Sequence, residues 1–308
     1  MKLLFVHGWS VTSTETYGGM PEALRRLARG RGLELRIADV FLGRYISFRD
    51  EARMGDLERA FEQAVRDALK VKAGGAIPRF SCITHSTGGP LVRCWVDRYY
   101  GAKGIVDCPL EHLIMLAPPN HGSALAQLGK ATLGRLKAWF EDIEPGCQIL
   151  DWLELGSAGQ RALNERFISY NLPKSHAEGG RHFPIVLTGE TIDPALYDFV
   201  NSYTGEAGSD GVVRAAAANL DARWLTLEQT DEPVKVRGLP GTTALRLRGN
   251  GVRRPPLTPF RIVPEASHSG SKIGIIKSVK PDNAAEKEVV AEVLDALQIA
   301  DGDDYNAY

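Results

Sequence analysis

Three short segments carry residue types that together could cleave an acyl bond: "THSTGG" (Thr84–Gly89), "GSDGVVR" (Gly208–Arg214) and "EASHSG" (Glu265–Gly270). A serine hydroxyl is a weak nucleophile, so it needs a base to accept its proton and a third group to orient that base. Ser86, His268 and Asp210 supply these types, in the chain order Ser86…Asp210…His268. That is one of the few orders in which such triads occur.

Ser86 lies close to a G-x-S-x-G elbow, in which small residues two before and two after the serine relieve crowding in a tight strand-to-helix turn. Gly88 meets the second requirement; the first position holds Thr84. A helix starting just after Ser86 would aim its free N–H groups and positive dipole end at the site. The plainer reading of Ser86 is a helix N-cap. The run "TGGP" favours the nucleophile, because two glycines and a proline are a poor choice where only capping is needed. Asp210 sits in a Gly-Ser-Asp-Gly turn whose backbone amides could hold its carboxylate, although an Asx turn would look the same. Glu190 and Asp193 directly follow a strand candidate and stay open as alternative acids. His268 follows the last strand candidate, where it could swing toward Ser86 or be a surface histidine. At the N-terminus, "FVHGWS" ends a buried run in His-Gly, where a folded-back loop can point a backbone amide at a developing oxyanion. The two donors would be the amides of Trp9 and Thr87.

The elements that must position these groups alternate. Lys2–Val6 is a continuous apolar run, as in a buried parallel strand. Pro21–Arg29 and Asp56–Val71 have helical spacing, and Leu33–Val40 alternates between them. Phe80–Thr84 leads into the Ser86 turn, a helix carrying Leu91, Val92, Trp95 and Val96 follows, and His112–Ala117 forms the next strand candidate. Such alternation predicts a parallel sheet with right-handed crossovers. From Asn120 to about Arg181 only helical pieces are evident. Phe183–Glu190 resumes the strand pattern, "RWLTLEQ", "TALRLRG" and "FRIVPEASH" are later candidates, and Asp282–Leu297 reads as a closing helix. The expected organisation is a core of residues 1–119 and 182–300, a helical lid or cap at 120–181, and a flexible acidic tail at 301–308.

Composition excludes several classes. The 308 residues include 37 basic and 38 acidic side chains, so no strong field favours nucleic acid. The four cysteines form no C-x-x-C pair, which argues against a zinc site or a disulfide framework. No cofactor and no metal are called for. No stretch approaches the roughly 18 apolar residues of a membrane span, and "MKLLFVHGWS" lacks the apolar length and cleavage site of a signal peptide. The expectation is a protein that is cytoplasmic as made, with any export by a leaderless route.

With these residues in place, the chain resembles the lipase-like branch of the α/β-hydrolase superfamily, most closely families grouped with bacterial triacylglycerol lipases and GPI-inositol deacylases. The matching stretches are "FVHGWS", "THSTGG", "LIMLAPPNHGS", "LTGE", "SDGVV" and "SHSG". The resemblance implies an α/β-hydrolase fold, a mostly parallel sheet flanked by helices with a helical lid insertion. It implies hydrolysis of a carboxylic ester of a lipid, with Ser86 attacking, His268 relaying the proton, Asp210 orienting it, and Trp9 and Thr87 binding the oxyanion. Leu125, Leu128, Leu133, Leu136, Trp139, Phe140, Ile149, Leu150, Trp152, Leu153 and Leu155 could then shield an acyl chain, or simply be the buried faces of helices. Transient contact with a membrane surface follows from a lipid substrate. Some leaderless relatives are phospholipase effectors held by a cognate immunity protein, which makes such an inhibitor a further expected partner. Two rival functions remain: an esterase, thioesterase or amidase acting on a soluble acyl compound, and a catalytically inactive binding module.

Overall fold

The computed structural model describes residues 1–7, 17–46, 51–126, 147–193, 206–235 and 243–308. Six strands, β1 (Lys2–Val6), β2 (Arg36–Val40), β3 (Phe80–His85), β4 (Leu110–Leu116), β5 (Phe183–Gly189) and β8 (Phe260–Val263), form one sheet in the order β2-β1-β3-β4-β5-β8. Every pairing in it is parallel. All residues of β3, β4 and β5 are buried, as befits central parallel strands covered on both faces, and the polar residues they carry, among them Ser81, Thr84, Glu111 and His112, are buried with them.

Helices cover both faces. Phe5, Ile83, Ile114 and Ile185 share one buried cluster with Leu24 of α1 (Met20–Gly30) and Val290 and Val293 of α8 (Glu288–Ala296). Leu4, Cys82, Leu113 and Val186 share the other with Leu57 and Phe61 of α2 (Met54–Ala68) and Val92 and Trp95 of α3 (Gly88–Tyr100). Asp56 starts α2 by accepting the Arg53 amide at 2.9 Å, satisfying a backbone N–H at the helix entrance. The Phe61 ring meets Trp95 edge-on at 5.4 Å, locking α2 to α3. Complete burial of a side chain such as Leu57 or Phe61 is worth about 1.5–3 kcal/mol.

The insertion after β4 contributes α4 (Cys147–Leu153), α5 (Ala158–Ile168) and α6 (Leu172–Ala177). Leu125, Ile149, Leu150 and Leu153 are buried in the protein core, and Ile149, Leu150 and Leu153 join the α2–α3 cluster, against which Trp152 and Leu155 also pack. Ile149, Leu150 and Leu153 are thus core rather than a free lining for an acyl chain. Leu128, Leu133, Leu136, Trp139 and Phe140 lie outside the described residues.

Two other expectations are corrected. The last residues, expected as a flexible tail, form α9 (Gly302–Ala307). Asp301 caps it by accepting the amides of Asp303 and Asp304, and buried Tyr305 donates to the Pro184 carbonyl at 2.7 Å. The closing helix begins at Glu288 rather than Asp282, because turns occupy the residues after Pro281.

The candidates "RWLTLEQ" and "TALRLRG" do not join the sheet. They belong to β6 (Trp224–Lys235) and β7 (Thr243–Arg253), an antiparallel pair standing apart from it. Register puts Leu225 opposite Val252, Leu227 opposite Gly249, Gln229 opposite Leu247 and Pro233 opposite Leu245. Leu225, Leu227, Leu245, Leu247 and Val252 thus fall on one face, and each is between 41% and 58% exposed. The alternation in the sequence is real, yet its apolar face stays about half exposed.

Candidate active site

All six parallel strands run the same way, so their C-terminal ends share one edge, where open α/β sheets place their ligand sites. Backbone strain concentrates there. Ser86 follows β3 with φ +52°, Ala117 follows β4 with φ +50°, and Glu265 follows β8 with φ +54°. A left-handed conformation is costly for residues bearing a Cβ and persists only where the surroundings enforce it. At Ser86 the enforcement is visible. Its amide donates to the Leu116 carbonyl, and its carbonyl accepts the Gly89 amide. A Cβ on Gly88 would lie 2.8 Å from the Val6 carbonyl oxygen, and one on Gly89 would lie 2.8 Å from Pro118. These two glycines let α3 start hard against β1 and the β4 loop. Thr84 sits fully buried in β3, paired with Val6 and Met115, and its hydroxyl has no partner among the described residues. The elbow therefore forms with threonine in place of its first glycine.

The three side chains singled out in the sequence meet at this edge. The Ser86 hydroxyl lies 3.0 Å from His268 Nε2. His268 Nδ1–H donates to Asp210 Oδ2 at 2.9 Å. Asp210 is fully buried, and its Oδ1 accepts the amides of Val212 at 2.9 Å and Val213 at 2.7 Å. With both oxygens engaged, the carboxylate can present only one face to the imidazole. That fixes the tautomer with the proton on Nδ1 and leaves Nε2 bare to accept from Ser86. The His268 amide also donates to the Asp210 carbonyl at 3.0 Å. Glu190 and Asp193 follow β5, but the carboxylate bonded to His268 is Asp210.

Thr87 is buried and caps α3, and its amide donates to no acceptor among the described residues. Trp9 lies outside the described residues. His7 directly follows β1, and its Nε2 accepts the Leu42 amide at 3.3 Å, a bond that anchors the strand end. A cleft of about 400 Å³ at the β5–β8 edge, bordered by Asp221, Leu257 and Tyr305, contains none of the three residues.

Sequence reasoning missed a buried polar network behind the nucleophile's helix. Arg93 of α3 donates to Asn120 Oδ1 at 3.1 Å and to Asn164 Oδ1 at 2.7 Å. Asn164 donates to the Asn120 carbonyl and to His121 Nδ1, while Asn120 and His121 donate to the carbonyls of Ala218 and Asn219. The network joins α3, the "PPNHGS" loop and α5 to α7 (Ala215–Ala218), which follows the Asp210 turn. "PPNHGS" was visible in the sequence, but the partners of Asn120 and His121 lie in distant segments.

Burial holds several histidines neutral. His85 is lowered to about 3, and His121 and His182 to about 4, in each case mainly by desolvation. Unfolded, each would titrate near 6.5. The unfolded chain therefore binds more protons below that value, and stability is lost as pH falls from about 6.5 toward 4. These three sites alone contribute up to about 4 kcal/mol per pH unit, and His112, also lowered mainly by desolvation, adds to this. Asp39, Glu58 and Asp221, raised by desolvation, gain protons on folding and offset part of this. Denaturant midpoints measured from pH 7.5 to about 4 should fall through this window; a flat profile would show that these histidines protonate freely in the fold.

The fold is that of the α/β-hydrolases, with the Ser-His-Asp constellation at the edge where that fold carries its chemistry. The chain is similar to the phospholipase PlaB from Legionella pneumophila, with 45% identity and a TM-score of 0.82 over 100% of its own length. A second structure of PlaB, in complex with thio-NAD, matches at 43% identity and a TM-score of 0.80, again over the whole chain. The chain spans 62% of PlaB in the first structure and 60% in the second. No protein-family model matches the chain, and no curated protein sequence matches it.

Proposed function

We propose that this protein hydrolyses carboxylic esters of lipids, phospholipids foremost, through a Ser86 acyl-enzyme. The observation that carries this reading is the continuous hydrogen-bond chain from Ser86 through His268 to Asp210, centred on a serine held in a strained elbow. Similarity to a phospholipase over the whole chain favours a lipid substrate.

In this mechanism Ser86 Oγ attacks the acyl carbonyl as His268 Nε2 takes its proton. Asp210, held by the Val212 and Val213 amides, keeps the imidazole oriented and stabilises the imidazolium. The tetrahedral oxyanion rests on the Thr87 amide and, as the resemblance implies, on that of Trp9. His268 then gives its proton to the departing alcohol oxygen, leaving Ser86 acylated. Water attacks the acyl carbonyl with His268 again as base, the carboxylic acid leaves, and the serine is restored. Among the described residues no three His, Cys, Asp or Glu side chains converge as a metal site, and no step requires one.

No described helix is long and apolar enough to cross a membrane. Contact with a lipid surface is instead supported by the β6–β7 pair, whose exposed leucines form one apolar face. Arg246 and Arg248 stand on the opposite face. Exposed apolar patches of this kind mark interaction surfaces. The test compares phospholipid vesicles with a short-chain soluble ester. The wild-type protein should release fatty acid from vesicles. A Leu225→Ser/Leu247→Ser variant should lose vesicle binding and most vesicle hydrolysis while retaining soluble-ester turnover. Turnover of soluble esters alone, with no hydrolysis of any phospholipid, would favour the soluble-acyl reading instead.

A further inference from the structure

We propose that His85 is a positioning residue that sets the height and tilt of the His268 imidazole over Ser86; this rests on the hydrolase reading above. The loop carrying His268 follows β8, an edge strand separated from β3 by β4 and β5. It must reach across both to meet Ser86. Its anchors are mostly local or lead to the acid: Ser267 exchanges backbone bonds with Ile273 and Ile275, the Ala266 carbonyl accepts the Thr191 amide, and the His268 amide and Nδ1 both go to Asp210. None of these references the nucleophile's own strand. His85 does, because it is the last residue of β3 and the immediate neighbour of Ser86.

Its side chain is buried, and its Nε2–H donates to the His268 backbone carbonyl at 2.9 Å. The two rings also lie 4.8 Å apart between centroids, tilted by 42°. One side chain therefore holds the base's backbone by a directed bond and its ring by contact, from the residue adjoining the nucleophile. A carbonyl can only accept, so His85 must carry its proton on Nε2. The titratable groups around it are His7 and His268, with Asp210 beyond the latter. Burial beside these imidazoles disfavours a second proton on His85, which keeps it a neutral tether while His268 gains and loses charge.

Misplacing a reacting group by about 1 Å can cost on the order of 100-fold in rate. Losing the tether also leaves a buried carbonyl unpaired, which lowers stability, so kcat is compared between variants shown to be folded at the assay temperature. Two substitutions separate the donor from the ring. His85→Gln keeps an N–H near the position of Nε2, and His85→Phe keeps an aromatic ring but donates nothing.

With a soluble ester as probe, His85→Phe should lower kcat by about 10- to 100-fold with KM nearly unchanged. His85→Gln should recover most of that loss. In parallel, the downfield proton resonance of His268 Nδ1–H, shared with Asp210, should shift or broaden in the Phe variant and be retained in the Gln variant. Equal kcat for the Phe variant and wild type, or equal losses for Phe and Gln, would overturn the proposal, as would an unperturbed resonance in the Phe variant. The resonance is read without turnover. A wild-type protein that hydrolyses nothing would therefore reject the hydrolase reading while leaving the tether separately testable.

Discussion

Ser86→Ala should leave a folded protein whose ester hydrolysis falls by at least about 10⁴-fold. Alanine keeps the Cβ that already tolerates φ +52°, so the strain of the turn is unchanged, and so are the amide bonds to Leu116 and Gly89. Only Oγ and its 3.0 Å contact to His268 are removed. Losing one such bond costs about 1 kcal/mol of stability, so the thermal midpoint should barely move. Rates and midpoints measured on the same preparation separate chemistry from folding. An alanine variant with wild-type turnover would remove Ser86 from the mechanism.

Asp210→Asn should cut the rate by about 10⁴-fold with a smaller effect on stability. The amide can keep accepting from Val212 and Val213 through its oxygen, which turns its NH₂ toward His268. His268 Nδ1 must then become the acceptor, which moves the ring proton to Nε2. An imidazole protonated at Nε2 cannot take the proton of Ser86. The loss should therefore be in kcat, and it should persist at every pH where the fold is intact. Asp193→Asn serves as the control, since Asp193 also lies just beyond β5 and reads in sequence as an alternative acid. A large loss in the Asp193 variant and none in the Asp210 variant would reassign the acid.

Much of the scaffold was readable because its signals are local. Leu3–Val6 of β1, Leu113–Leu116 of β4 and Ile185–Leu187 of β5 are unbroken apolar runs, and such runs belong to strands covered on both faces. "THSTGG" was readable as an elbow because Gly88 and Gly89 have no other use at the start of a helix, and the structure shows the backbone and side-chain atoms that a Cβ there would strike. The place of the hairpin was not readable, for a physical reason. Alternation at Leu225, Leu227, Leu245 and Leu247 declares a two-faced strand but not what covers the apolar face. The acidic tail was misread because Asp301 and Tyr305 act through a cap and a distant carbonyl, and the latter partner, Pro184, is not visible in a local window. His85 was invisible as a tether for the same reason. Its partner is the backbone of a residue 183 positions away.

The central claim, that Ser86 is the nucleophile, is tested most directly by reacting the wild-type protein with a fluorophosphonate and mapping the modified peptide. An activated serine within reach of His268 predicts one phosphonylated residue, Ser86, with labelling abolished in Ser86→Ala and sharply slowed in His268→Ala. Labelling at a different residue, or none under conditions where the ester is turned over, would contradict it.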